Sequence, residues 1–240
     1  MEIKIKAFGA CMIGGFPHRP EDSFFNLALA RLHSTTTHSL TPSIYTFGGF
    51  PVTRVPKHLK PRCLADHPDI VVIQFASSDL IVPIRRNHHR NQVSSVQRKV
   101  STASPSMTDR VRWLARGIIG NALQLTSVTP AEIYLETMDQ IVHAIAEHGA
   151  IPVVLSPFVF GGHRSDRIAR NCVSPLEKIV SAIPKAYFVN AYAALAAQPR
   201  REMLLRDGSH LSLKGQAVVA DSLFAALAKI VPALQPDAGR

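Results

Sequence analysis

The chain has 240 residues, 46% of them hydrophobic and 18% charged, enough for one sizeable α/β domain and inconsistent with a disordered chain. It has no run of about 18 apolar residues and no signal-peptide core, so neither a membrane span nor export is expected, and a cytoplasmic location is the default. Lys and Arg outnumber Asp and Glu by 27 to 17, an excess that draws anionic partners without choosing among them.

Ile3 to Phe8 alternates as a strand does and leads into Gly9-Ala10-Cys11-Met12-Ile13-Gly14-Gly15. Small residues around a nucleophile-capable side chain at a strand end suit a sharp turn that exposes it. Pro20-Glu21-Asp22-Ser23 opens a predicted helix through about His33, its acidic first turn matching the helix dipole. A Ser/Thr-rich loop precedes a short strand, Ser43 to Phe47, which ends in Gly48-Gly49 and so offers free backbone N–H groups. Asp69 to Phe75 is a continuous apolar run, the pattern of a parallel strand buried on both faces, and it ends in Ala76-Ser77-Ser78-Asp79.

From about residue 80 to 128 the periodicity breaks down. Leu80 to Thr108 has no acidic residue and carries Arg85, Arg86, Arg90, Arg98 and Lys99, so it reads as a basic surface insertion or a basic lid. It lacks interleaved aromatics, which ranks nucleic acid low as a partner. A short helix is expected from Thr108 to Leu114, with Trp113 packing it onto the domain.

Thr129-Pro130 starts a predicted helix to about His148, with Ile133, Met138, Ile141, Val142 and Ile145 facing inward. A strand from Ile151 to Leu155, a helix from Pro175 to Ile183 and a strand from Ala186 to Val189 follow. His163 and Arg164, after Gly161-Gly162, read as a surface loop. The turn Asp207-Gly208-Ser209-His210 then precedes a last helix, with Ser212 as N-cap and Val219, Leu223, Leu227 and Ile230 at apolar helical spacing. Strands alternating with helices predict a three-layer α/β/α sandwich around a mostly parallel sheet of about five strands, one domain over 1–240.

Ligands of such sheets sit at the carboxyl ends of the strands. Cys11, Gly48/Gly49, Ser78 and Asp79 fall at or just past predicted strand ends. An aspartate three residues before a histidine can fix the imidazole tautomer and stabilise its charged form. Cys11, Cys63 and Cys172 are widely spaced and odd in number, which argues against disulfides and structural zinc. His88-His89 lacks helical i,i+4 spacing, so no metal site or cofactor is expected.

These blocks resemble the SGNH (GDSL-type) hydrolase superfamily over most of the chain. Gly9 to Gly15 lies where that family has Gly-Asp-Ser-Leu-Thr-x-Gly, with Ala10 for the acid and Cys11 for the serine. Gly48 or Gly49 takes the place of the second-block glycine. Ala76-Ser77-Ser78-Asp79 stands where the family has Gly-x-Asn-Asp, so Ser78 replaces the asparagine. Asp207-x-x-His210, followed by Leu211 and Gly215, matches the last block closely. The resemblance implies Cys11 as nucleophile, His210 as general base and Asp207 as its orienter. It also implies an oxyanion hole from the N–H groups of Cys11 and Gly48 or Gly49, with Ser78 at the asparagine position.

A thiol titrates near ~8.5 and a neighbouring imidazolium lowers that value, so Cys11 for serine retains covalent catalysis. A shorter donor at Ser78 weakens the oxyanion hole, which favours an activated acyl group. The expected substrate is a small ester or thioester, anionic or carrier-bound, undergoing hydrolysis or acyl transfer. The competing expectation is a catalytically degenerate binding protein, supported by Ala10, Cys11 and Ser78 and opposed by the retained Asp207 and His210.

Overall fold

The computed structural model of the chain describes residues 2–47, 50–76, 79–80 and 127–234. Its centre is a five-stranded sheet in the order β2-β1-β3-β4-β5, formed by β1 (Glu2–Ala10), β2 (Ser39–Phe47), β3 (Ile70–Gln74), β4 (Ile151–Leu155) and β5 (Tyr187–Val189). All four pairings are parallel, with Ile5 opposite Pro42 on one side of β1 and opposite Ile70 on the other. β3 is buried at every position, as its unbroken apolar run requires.

β2 begins four residues before the expected strand. Ser39 and Thr41 read as the end of a Ser/Thr-rich loop, yet β2 is an edge strand whose side chains are mostly exposed, where such residues are at home. Pro42 is tolerated there for the same reason, because an edge strand can leave one N–H position unpaired.

The helices α1 (Phe24–His33) and α7 (Leu213–Ile230) pack together. The helices α2 (Pro56–Leu59), α3 (Ala131–Glu147) and α4 (His163–Ser181) form the second layer, while α5 (Ala191–Ala196) and α6 (Arg200–Met203) lead back toward α7. A chain that steps from β1 outward to β2 and then back across to β3, β4 and β5 places these two helical layers on opposite faces, given right-handed crossovers. The result is the expected α/β/α sandwich.

Two helix readings are corrected. α4 starts at His163, twelve residues before Pro175, which lies inside the helix. Ala169, Cys172, Leu176 and Val180 form a buried stripe, and its packing outweighs the one backbone hydrogen bond that the proline lacks. His163 and Arg164 therefore belong to a helical first turn and not to a loop. On α3, Ile133 is 43% exposed and the inward position belongs to Tyr134, whose hydroxyl donates to the Phe75 carbonyl at 2.7 Å. Met138, Ile141, Val142 and Ile145 are buried as expected.

Leu213–Ala233 is long and apolar enough, by length and composition, to cross a membrane, although Lys214, Asp221 and Lys229 interrupt its apolar run. In the fold, Val219, Leu223, Leu227 and Ile230 on this segment are buried. The expected helix at Thr108, Trp113 and nearly all of the basic insertion lie outside the described residues.

Candidate active site

Cys11 follows β1 directly and opens a short 3-10 turn, Cys11–Gly14. β1 has β2 on one side and β3 on the other, so this turn sits where the strand order reverses, the usual ligand crevice of open α/β sheets. The turn closes with Gly15 N–H donating to Met12 O at 3.0 Å and Phe16 N–H to Cys11 O at 3.3 Å. Gly15 has φ +93°, and a Cβ there would lie 2.6 Å from the Arg19 carbonyl oxygen, so no larger residue fits. Cys11 is partly exposed, whereas Cys63 and Cys172 are buried.

The turn carrying His210 hangs on a short antiparallel contact. Leu204 pairs with Leu211, Leu205 N–H donates to His210 O at 2.8 Å and Ser212 N–H to Met203 O at 2.9 Å. Gly161 N–H donates to Gly208 O at 2.8 Å, tying the turn to the loop after β4. That loop is itself held by Asp166, which accepts from Phe160 N–H at 3.0 Å, the Tyr192 hydroxyl at 3.1 Å and the Arg200 guanidinium at 2.7 Å.

Asp207 divides its oxygens between two tasks. Oδ1 accepts the N–H groups of Ser209 at 2.9 Å and His210 at 3.0 Å, which folds the turn. Oδ2 lies 2.6 Å from His210 Nδ1 and accepts a hydrogen bond from the ring N–H there. That leaves Nε2 facing Cys11 Sγ at 3.8 Å, within hydrogen-bond range for sulfur. The Phe16 ring packs against the imidazole in a T-shaped contact, centroids 5.2 Å apart at 72°.

Burial disfavours the charged imidazole, but the hydrogen bonds to Asp207 and Cys11 outweigh it and raise His210 to about 10. Burial likewise raises the Asp207 carboxyl, and the His210 bond with the two backbone donors more than reverses this, leaving it below the ordinary range. Desolvation pushes the Cys63 thiol up to about 12 and the Cys172 thiol up to about 11, which disfavours the thiolate at both.

Gly48, Gly49 and Ser78 lie outside the described residues. Asp79, next to Ser78, is buried. Its Oδ1 accepts Val52 N–H at 2.8 Å and the Thr129 hydroxyl at 2.7 Å, linking the segment after Gly49 to the end of β3 and the start of α3. The sequence marks Asp79 as a strand-end residue but not as this junction. Phe16 and His18, whose ring Nε2 lies 2.9 Å from Leu211 O, carry no spacing signal at all. Among the described residues no three His, Cys, Asp or Glu side chains group together as metal ligands would.

No protein-family model and no curated protein sequence matches the chain. Solved structures do. A lipase/acylhydrolase from Enterococcus faecalis superposes with a TM-score of 0.67 at 16% identity, covering 98% of both chains. An acetylxylan esterase from Geobacillus stearothermophilus, solved as a catalytic mutant, gives 0.61 at 14% identity over 93% of both. A G-D-S-L family protein from Desulfitobacterium hafniense gives 0.57 at 11% identity, over 92% of this chain and 98% of its own. At these identities the likeness is one of architecture: the chain has the three-layer α/β/α fold of the SGNH (GDSL-type) hydrolases.

Proposed function

We propose that the protein is an acyl-transferring enzyme of SGNH fold, an esterase, thioesterase or acyltransferase, working through Cys11, His210 and Asp207. The observation that supports this most directly is the unbroken line from Cys11 Sγ to His210 Nε2 at 3.8 Å and from His210 Nδ1 to Asp207 Oδ2 at 2.6 Å. An imidazolium held beside the sulfur is the arrangement that makes a cysteine nucleophilic.

In this reading the Cys11 thiolate attacks the acyl carbonyl, a C–S bond forms, and the carbonyl π electrons move onto oxygen. The oxyanion is met by the Cys11 N–H, the N–H of Gly48 or Gly49, and the Ser78 hydroxyl. Collapse expels the alkoxide or thiolate, which takes the proton from His210 Nε2. Water or an acceptor hydroxyl then gives its proton to His210 and attacks the thioester, releasing the acyl product and the Cys11 thiolate. Small esters, as in the acetylxylan esterase, and thioesters are the substrates to screen. The formal charge of +10 favours anionic or carrier-bound acyl donors.

The test is the rate of Cys11 alkylation by iodoacetamide at pH 6 in the native chain and in His210→Ala, followed by intact mass. The expected result is labelling at least about tenfold faster than a free thiol, lost in His210→Ala, then a covalent acyl adduct on Cys11 with an activated ester. Slow labelling indifferent to His210 would overturn the proposal and leave a binding protein on a hydrolase fold.

A further inference from the structure

We infer that His18 and Phe16, on the loop behind the nucleophile, are positioning residues that hold His210 at its working distance from Cys11. The inference rests on the Cys11–His210–Asp207 reading above. The two reacting groups are 199 residues apart in sequence and meet across 3.8 Å, the long end of a sulfur hydrogen bond. A displacement of about 1 Å would part them, and displacements of that size cost about a hundredfold in reactions that depend on alignment.

The Asp207 turn fixes the imidazole relative to its own backbone, but nothing within that turn fixes it relative to Cys11. The loop after Gly15 supplies that link twice. In the antiparallel contact between residues 203–205 and 210–212, the His210 carbonyl and the Ser212 N–H point toward Leu205 and Met203. Alternation along the strand therefore turns the Leu211 carbonyl the other way, toward the nucleophile side. His18 Nε2–H donates to it at 2.9 Å. Two residues before it, Phe16 packs its ring against the His210 imidazole in a T-shaped contact.

The loop is stiff enough to transmit this hold. Phe16 N–H returns to Cys11 O at 3.3 Å, and His18 N–H donates to Gly15 O at 2.7 Å. The turn that presents the sulfur thus also grips the backbone beside the base. Both side chains are partly buried, so neither bond is an exposed contact that solvent replaces freely.

The hydrogen bond requires a proton on His18 Nε2. A glutamine amide can supply a donor at that reach, and a leucine of similar bulk cannot. The experiment measures Cys11 alkylation by iodoacetamide from pH 5 to 10 in the native chain, His18→Leu, His18→Gln and His210→Ala, with the thermal midpoint of each. His18→Leu is expected to slow labelling at pH 7 by about tenfold and to shift the pH profile toward a free thiol's, with His18→Gln within about threefold of native. A His18→Leu profile that overlays the native one, while His210→Ala slows labelling, would overturn the positioning role and leave the catalytic pair standing. A His210→Ala without effect would remove the pair and the positioning role together. If His18→Leu does not fold, Phe16→Leu carries the test: a shifted profile supports the inference and an unshifted one overturns it.

Discussion

Asp207 is the residue on which the site's chemistry turns, because one carboxylate both folds the turn and sets the state of the imidazole. Asp207→Asn would keep an oxygen for the Ser209 and His210 N–H groups but present an amide N–H toward Nδ1. The ring would then carry its proton on Nε2 and lose the acceptor that faces Cys11. Labelling of Cys11 at pH 7 is expected to fall by at least about tenfold. The same change has a signature in stability. His210 is raised in the fold to about 10, so its contribution is full below the ordinary histidine value of about 6.5 and is lost as pH rises through about 10. Asp207 is lowered, so its contribution holds above the ordinary carboxylate value of about 4 and is lost as pH falls through the lowered one. The stability gap between native chain and Asp207→Asn should therefore be widest near pH 5.5 and narrow as pH rises through about 10, as read from urea midpoints. A gap that does not change with pH would mean the variant acts through packing instead.

Among the elements, α7 shows how a helix start is built to sit against the turn that carries Asp207 and His210. Ser212 caps it by accepting Gly215 N–H at 3.0 Å, and a Cβ on Gly215 would lie 2.3 Å from Met203 O. Alanine is the better helix former by about 1 kcal/mol, but the obstacle here is backbone that cannot rotate away. Gly215→Ala is expected to destabilise by about 1–3 kcal/mol in chemical denaturation, the range for overpacking a tight contact, and to slow Cys11 labelling by shifting the turn. The sequence predicts this helix well, since its Ser212 cap and its apolar spacing agree. It predicts α4 poorly, because Pro175 reads as a start signal and the charged residues from Arg164 to Arg170 hide the buried stripe that continues through it. On α3 the apolar period and its phase are clear from Met138 onward and only the first inward position differs, since Ile133 is the more hydrophobic choice and Tyr134 the one with a buried partner for its hydroxyl. β2 is shortened in the reading because edge strands obey solvent and not burial.

At the scale of the whole molecule, the parallel order β2-β1-β3-β4-β5 is what carries Cys11, at the start of the chain, to the Asp207 turn near its end. The fold class and the Cys11, Asp207 and His210 cluster were legible because each leaves a local mark: a strand followed by small residues, or an acid three before a histidine. Phe16, His18 and the Asp79 junction were not, because their partners lie 27 to 194 residues away (79 − 52 and 210 − 16) and no local pattern encodes such pairings. A site assembled from distant segments should exist only while the sheet and its helices are intact, and the three thiols report this without any added probe. Cys63 and Cys172 are buried, with thiols pushed up by desolvation, so in the native state iodoacetamide should label Cys11 quickly and the other two hardly at all. Across a urea titration Cys11 should slow to the rate of an ordinary thiol as Cys63 and Cys172 accelerate, all three with one midpoint, as two-state unfolding requires. A Cys11 rate that collapses at lower urea, before the buried thiols open, would show instead that the His210 turn detaches as a separate, weaker unit while the sheet persists.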